Sequence, residues 1–384
     1  MTRANFRKIE MQGIYANRIE RTDKQMKMCF EELECMISEV LTVTGMEEEN
    51  IRIVTDVYIA QTKRGIGHHD INDIVWRVFR ILSGGIKANP SYKKLSSYAS
   101  MESWDGDNGT GELTCTFAMK RAVHLAGQYG MGLCMMRNSN HYLASAPYTM
   151  LAAKSGCIGM IIAKDVPSMG MPGHEGKVVG HSPNGYAFTT DEDWLVMFDG
   201  CLAYVSGHGN LNQAAEQGKA VPGWWGVGPD GAPTTDPTAL LKGTRYPIGE
   251  HKGYAYAILC ELLTGVLGMG PILDQTDGPD GLKNNTTHTA IALKADALMS
   301  METFNNRSSL LIDRIRNRAP DIRIPGYRSY ESEKTHTKSN VIEINDNLMA
   351  LHRFLTTKRP ADFTYSSLTA MIEAAGIKMP EWFL

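Results

Sequence analysis

From Asp23 to Gln61 apolar residues recur at helical spacing: Met26, Met28, Cys29, Leu33, Met36, Ile37, Val40 and Leu41 form a first run. Thr44-Gly45 interrupts the pattern and Glu47 to Ala60 resumes it, which predicts two helices joined by a short turn. Residues 1–22 carry no such period and read as an N-terminal extension. Helical spacing returns over Leu113–Gln128, ending near Tyr129-Gly130, and over Ser145–Lys154, closed by Ser155-Gly156. Gly132–Met136 and Cys157–Ala163 are short apolar runs of the kind that form buried strands. Glycine and proline crowd residues 170–249, where strands and loops are expected to dominate. Tyr254–Leu267 is apolar all round, which predicts a buried helix, and Ser300–Asn317 is more amphipathic. The order predicts an α/β chain without regular βαβ repeats.

Composition narrows the partners. A net charge of −3 argues against nucleic acid or an anionic membrane as an obligate partner. The longest apolar stretches, such as Met160–Ala163, are too short to span a bilayer. The seven cysteines are dispersed, odd in number and form no C-x-x-C pair. With no secretory leader at the N-terminus, this predicts reduced thiols in the cytoplasm.

Two kinds of site can be tested by pattern. GVGPDG (Gly226–Gly231) matches the dinucleotide fingerprint literally, but Ala232-Pro233 follows where a helix would have to begin. No Walker A sequence occurs either. In GIGHHDIND (Gly65–Asp73) the adjacent His68 and His69 cannot easily converge on one ion. His69 and Asp73, four apart, share a helix face, but two ligands do not make a metal site. No H-E-x-x-H pattern or cysteine cluster supplies more ligands, so no metal is expected. Three further stretches carry chemistry: RNSNHYLASAPY (Arg137–Tyr148), FDGCLAYVSGHG (Phe198–Gly209) and IGEHKGYAYA (Ile248–Ala257). Taken singly, His141 reads as a structural histidine, Lys252 as a solvated side chain and Asp199 as a helix cap or turn former.

DGDNGTGEL, RNSNHYLAS, PTTDP (Pro233–Pro237), HKGYAYAILCELLTGVL and IPGY (Ile324–Tyr327) together, in this order, resemble the type 2 malate/L-lactate dehydrogenases from about Asp23 to Phe354. This family includes ureidoglycolate dehydrogenase and 2,3-diketo-L-gulonate reductase; the RNSNHY segment matches the reductase best. The resemblance implies a non-Rossmann NAD(P)-binding α/β fold with a helical N-terminal region, NADH or NADPH as cofactor, a small-molecule substrate and a homodimer. It divides the chain into the extension 1–22, a helical part 23–110 carrying the catalytic histidine, a cofactor-binding α/β domain 111–330, and a segment 331–384 returning to the N-terminal part. It implies His69 as the catalytic histidine and His141 as the histidine assigned as proton acceptor in the ureidoglycolate branch. It places the cofactor at Asp165, Gly200, Cys201, Leu202, Lys252, Pro325, Gly326 and Tyr327. Asp165 stands where a serine or threonine commonly makes that contact, and Gly200–Leu202 keep backbone donors rather than side-chain chemistry.

Hydride reduction leaves negative charge developing on oxygen or nitrogen, and an imidazole near neutral pH is suited to manage the compensating proton. His69 is expected to act as acid/base and His141 to polarise or orient a 2-oxo/2-hydroxy acid or related carbonyl. The family's substrate-clamping arginine, four residues after the histidine, is Asp73 here. A bidentate Arg–carboxylate contact attracts by about 1.5–3 kcal/mol, whereas Asp73 repels the same group. His68, Asp73 and Arg77 are therefore the substrate-side candidates, with Arg77 or Arg64 as a replacement clamp. The alternatives are a substrate without that carboxylate (a sugar, polyol or imine) and an inactive homologue that only binds cofactor or ligand.

Overall fold

The computed structural model describes residues 26–67, 69–276, 285–356 and 368–377; the extension 1–22 and His68 lie outside them. Strand β1 (Met26–Cys29) leads into helices α1 (Phe30–Val43) and α2 (Glu48–Arg64), then a 3-10 turn (Ile71–Asp73) and α3 (Ile74–Leu82). The two predicted helices are present, but the first begins later than the apolar period suggested. Met26–Cys29 is a strand because it pairs antiparallel with β13 (Val341–Ile344), in register from Met26–Ile344 to Cys29–Val341. Helix formation starts where Cys29 accepts from the Glu32 amide and the Glu32 carboxylate accepts from the Cys29 amide, a capping box.

The main sheet joins β2 (Lys93–Tyr98), β3 (Met101–Asp105), β4 (Met131–Ser139), β5 (Cys157–Ala163), β8 (Asn184–Phe188), β9 (Val196–Gly200) and β12 (Thr286–Lys294) in the order β2-β3-β4-β12-β5-β8-β9. Only β3 and β4 run parallel among the described pairs of this sheet, so it is not the doubly wound parallel sheet of a Rossmann domain. Helices α4 (Gly111–Tyr129) and α5 (Ala146–Lys154) pack against it, each ending near the predicted glycine. A smaller sheet, in the order β10 (Gly226–Val227), β11 (Thr244–Arg245), β6 (Pro167–Met169), β7 (Val179–Gly180), occupies the glycine-rich stretch. Within GVGPDG the chain turns back on itself, with the Gly228 amide donating to the Ala232 carbonyl at 2.9 Å. No helix opens there: short helix α6 (Asn212–Glu216) precedes it and α7 (Pro237–Lys242) starts beyond it.

The remaining helices are α8 (His251–Glu261), α9 (Met301–Arg318), α10 (Tyr327–Ser339), α11 (Asp346–Thr356) and α12 (Leu368–Ala374). Leu33, Ile37, Val54, Ile74 and Val78 share one core with Ala118 of α4, with Cys134 and Ile161 of the main sheet, and with Leu348 and Leu351. The N-terminal helices are thus anchored both to the sheet and to the C-terminal part.

One helix departs from its sequence pattern. Tyr254–Leu267 is not buried: α8 and the π-helical turn that continues it (Leu262–Val266) cover Ala257, Cys260 and Thr264 but leave Tyr256, Leu259, Leu262, Val266 and Leu267 each 43–51% exposed. A segment apolar on all sides finds only half its surface covered within this chain. Among the described residues no helix is long and apolar enough to cross a membrane.

Candidate functional site

His69 sits on the turn between α2 and α3. Gly65 ends α2 in the left-handed region (φ 67°), returning its amide to the Thr62 carbonyl, and the His69 amide then closes a turn on Ile66 at 3.0 Å. Asp70 caps the 3-10 turn: its Oδ1 accepts from the Asn72 amide at 2.9 Å and the Asn72 side chain at 3.0 Å. Part of the histidine–aspartate stretch therefore does the plain structural work of starting a helix, and this fixes where His69 is presented.

His141 approaches from the sheet, between the end of β4 and the start of α5, and the two imidazole rings lie 5.0 Å apart between centroids. Two of the sequence motifs form the latch that holds it. The Gly106 amide donates to Arg137 and the Asn108 amide to Asn138, at 2.9 and 2.8 Å, while the Asn140 side chain donates to Asn108 Oδ1 and the Gly109 carbonyl. Gly111 must be glycine because a Cβ there would come within 2.2 Å of the His141 carbonyl. That same carbonyl accepts from Arg77 Nη2 at 2.6 Å, and Arg77 Nε donates to Glu112 at 2.9 Å. Arg77 and Glu112 are both buried, at 4% and 0% exposure. The guanidinium is thereby committed to protein partners, as is that of Arg64, which pairs with Glu333 at 2.7 Å and contacts Ser329.

Asp73, at the start of α3, is half-buried, and its pKa is pushed up to about 6. Burial is the main cause; Arg77 opposes it, and Glu112 and Asp70 add to it. A raised carboxyl pKa means that the folded chain holds the proton more tightly than the unfolded one. Asp73 therefore withdraws stability as pH rises from about 4 to about 6, with no further change above. Asp73→Asn should become more stable relative to the wild type across that window, read as the difference between their thermal midpoints. A difference that stays flat or falls with rising pH would contradict the buried-carboxyl account.

Asp199 ties the histidine pair to the cofactor candidates. At the end of β9 its two oxygens accept from the Ser145 and Ala146 amides, at 3.1 and 3.0 Å. It is a helix cap as its type suggests, but for the distant α5. Burial lifts its pKa to about 6 against these two bonds. From Gly200 the chain continues through Cys201 and Leu202 alongside two other segments: the Leu202 amide donates to the His181 carbonyl at 2.8 Å, and the Ile248 amide to the Leu202 carbonyl at 2.7 Å. Asp165 joins this group by pairing with His181 Nδ1 at 2.6 Å. Burial raises its pKa, but His181, aided by Arg245, outweighs that and leaves the carboxyl below the ordinary carboxylate range.

Lys252 is exposed at the second residue of α8, four residues beyond Ile248. Arg245 donates one N–H to the Val205 carbonyl at 3.3 Å, and a Cβ at Gly207 would lie 3.3 Å from its guanidinium. These two cations suit the phosphates of a nicotinamide dinucleotide. Pro325, Gly326 and Tyr327 lie at the other end of β9. The Pro325 carbonyl accepts from the Met197 amide at 3.1 Å, and Gly326 (φ 93°) passes so close that a Cβ would meet the Leu195 carbonyl at 2.7 Å. The fold thus gathers Asp165, Gly200–Leu202 and Lys252 along one path, His69 and His141 at another point, and Pro325–Tyr327 beyond β9. Sequence reasoning missed His181 and the role of Glu112. Glu112 lies in the quoted DGDNGTGEL motif, but nothing in the pattern signals His181. Among the described residues no three metal-type side chains converge.

A family model for malate/L-lactate dehydrogenase matches residues 28–351. The malate dehydrogenase of Pyrococcus abyssi is 29% identical over 324 residues, covering 81% of this chain and 89% of that protein. The 2,3-diketo-L-gulonate reductase of Escherichia coli is 25% identical over 331 residues, covering 85% and 98%. Whole-chain identity therefore does not favour the reductase that the RNSNHY segment suggested. The structure of sulfolactate dehydrogenase from Methanocaldococcus jannaschii superposes with a TM-score of 0.79 at 26% identity, covering 92% of this chain and 98% of that one. With the motifs in order and the model matched over most of its length, the chain belongs to the malate/L-lactate dehydrogenase family.

Proposed function

We propose that the protein transfers hydride between NADH or NADPH and a 2-oxo/2-hydroxy acid or related carbonyl compound, with His69 as the acid/base. That it is a nicotinamide-dependent oxidoreductase of CH–OH groups follows from the family; substrate, residue roles and assembly are the proposal. The observation that carries it is the pair of imidazoles 5.0 Å apart, set by the α2–α3 turn and by the latch between two motifs. When bound, the nicotinamide supplies or accepts the hydride. Lys252, with Arg245, would hold phosphate, and the segments Gly200–Leu202 and Pro325–Tyr327 would flank the cofactor. His69 as imidazolium gives a proton to the oxygen on which charge develops in reduction, and as imidazole removes it in oxidation. His141 orients and polarises the same group.

A second reading is favoured by one observation. Arg77 and Arg64 are both engaged by protein carboxylates, and Asp73 stands at the clamp position. A substrate without a carboxylate there, such as a sugar, polyol or imine, would meet Asp73 as a hydrogen-bond acceptor. The exposed apolar face of α8 and its π-turn supports a homodimer, since a stripe of this kind is usually covered by a partner. Dispersed cysteines support a cytoplasmic setting.

The test is a turnover screen of 2-oxo acids, cyclic imino acids and sugars with each reduced cofactor, followed by loss of nicotinamide absorbance on protein shown to sediment as a dimer. Turnover confined to 2-oxo acids supports the first reading, and turnover confined to sugars or carboxylate-free imines the second. Nicotinamide fluorescence quenching without turnover of any member would leave only a cofactor-binding homologue.

A further inference from the structure

One group of charges beside the Asp165 segment is left unbalanced. Arg245 on β11 is half-buried, and burial holds its pKa below the ordinary arginine range. Its guanidinium donates to the Val205 carbonyl at 3.3 Å and meets no carboxylate at ion-pair distance among the described residues. The field of Asp165 reaches it, but that carboxylate is bonded to His181 Nδ1 at 2.6 Å. The smaller sheet sets a second cation nearby. Met169 of β6 pairs with Arg245 on one side and with Val179 of β7 on the other, so two strand spacings, about 9–10 Å, separate their backbones. Lys177 lies two residues ahead of Val179, where the Val178 amide donates to the Met169 carbonyl at 2.8 Å. It too has no carboxylate partner among the described residues, and its pKa is held down first by lost solvent and then by Arg245. Burying one cation and crowding it with another costs free energy that a bound anion would offset.

These groups border a pocket. Three segments line it, Val166–Pro167, Lys177–Val178 and Leu273–Asp274, around a volume of about 540 Å³. Its valine, proline and leucine side chains suit a purine ring, and Lys177 supplies an ammonium. With the nicotinamide at His69 and His141 and the pyrophosphate at Lys252, the adenosine end of the cofactor is the part left to fill it. NADH carries only the two pyrophosphate charges, whereas NADPH adds a phosphate on the 2′-oxygen of the adenosine ribose. Three cations, Lys252, Arg245 and Lys177, exceed what the pyrophosphate alone requires. Asp165, a carboxylate able to accept from a free 2′-hydroxyl, is already taken by His181. Asp274 is the rival acceptor; it is exposed on the third wall, where its field reaches Lys164.

We propose that this pocket receives the adenosine end of the cofactor and that Arg245 and Lys177 clamp a 2′-phosphate there, so that the protein selects NADPH over NADH. The inference rests on the cofactor reading above and narrows it to one of the two dinucleotides. The two cations contribute differently. The guanidinium, steadied by its bond to Val205, offers a planar fork to the phosphate oxygens, and the lysine adds a compact charge on a flexible stem.

Binding decides it without turnover. Nicotinamide fluorescence titrations of the full chain should show NADPH held about 10–100-fold tighter than NADH, the worth of charge-assisted contacts to one phosphate. In calorimetry, adenosine 2′,5′-bisphosphate should bind more tightly than adenosine 5′-monophosphate by a similar factor. Lys177→Met, at an exposed position, should weaken NADPH by about 3–10-fold and NADH by less than about twofold. Lys177→Met with Arg245→Met should bring the two affinities together, with thermal midpoints confirming that the variants are folded. The proposal is overturned by equal affinities in the wild type, or by a preference for NADH that Asp274→Asn removes. Arg245→Met weakening both cofactors by the same factor also overturns it, since that would place Arg245 on the shared pyrophosphate. If both cofactors bind equally, the proposal fails alone; if neither binds, the cofactor reading fails with it.

Discussion

His69→Ala is expected to lower kcat by about 10²–10⁴-fold, the usual contribution of a positioned general acid–base, while binding of NADH and NADPH, followed by fluorescence, is nearly unchanged. The asymmetry comes from the fold. His69 is held by backbone geometry, the left-handed Gly65 and the Asp70-capped turn, so removing its ring leaves the segment in place. The cofactor candidates are on β9, the 245–252 segment and the 325–327 loop, which are tied to one another by their own backbone hydrogen bonds. Added imidazole should restore part of the lost turnover in the alanine variant, because the missing element is a proton carrier. Unchanged kcat in His69→Ala would remove His69 from the chemistry. Equal loss of cofactor affinity would make its role structural instead.

The sequence made the helices legible where period and punctuation agreed: α2, α4 and α5 and strand β5 lie where apolar spacing and closing glycines put them. Both failures have the same physical origin. Met26–Cys29 is a strand because its partner, Val341–Ile344, lies at the other end of the chain, and no local period can show that. Tyr254–Leu267 is apolar enough to be buried, but what covers an apolar face is not written in the face itself. The candidate site divides in the same way. The motif around Asn108 and the motif around Asn140 are both visible as sequence, but their mutual hydrogen bonding is not. Asp199 reads as a cap, though the helix it caps lies far back along the chain. His181 gives no signal, because its meaning depends on Asp165, which the pairing of β6 with β7 brings beside it.

Arg77→Met should destabilise the fold by about 3–5 kcal/mol, the cost of stranding one member of a buried ion pair. The sequence offers Arg77 as a cation one turn beyond Asp73 and so as a substitute clamp for an acidic substrate. The structure turns its guanidinium inward instead, to Glu112 at 2.9 Å and the His141 carbonyl at 2.6 Å. Glu112 has no exposure, and its second oxygen meets no donor among the described residues, so loss of Arg77 leaves a carboxylate without compensation. Replacing both partners, in Arg77→Met with Glu112→Met, should recover most of the stability, because an apolar pair of similar volume removes both desolvation penalties. Turnover should not recover with it, since the double variant still lacks the N–H that fixes the His141 carbonyl. Denaturant melts and kcat measured on the wild type, Arg77→Met and the double variant separate the two roles. Stability and turnover returning together would reduce Arg77 to a packing element. Turnover that falls through KM alone, with kcat preserved, would instead restore it as a substrate contact.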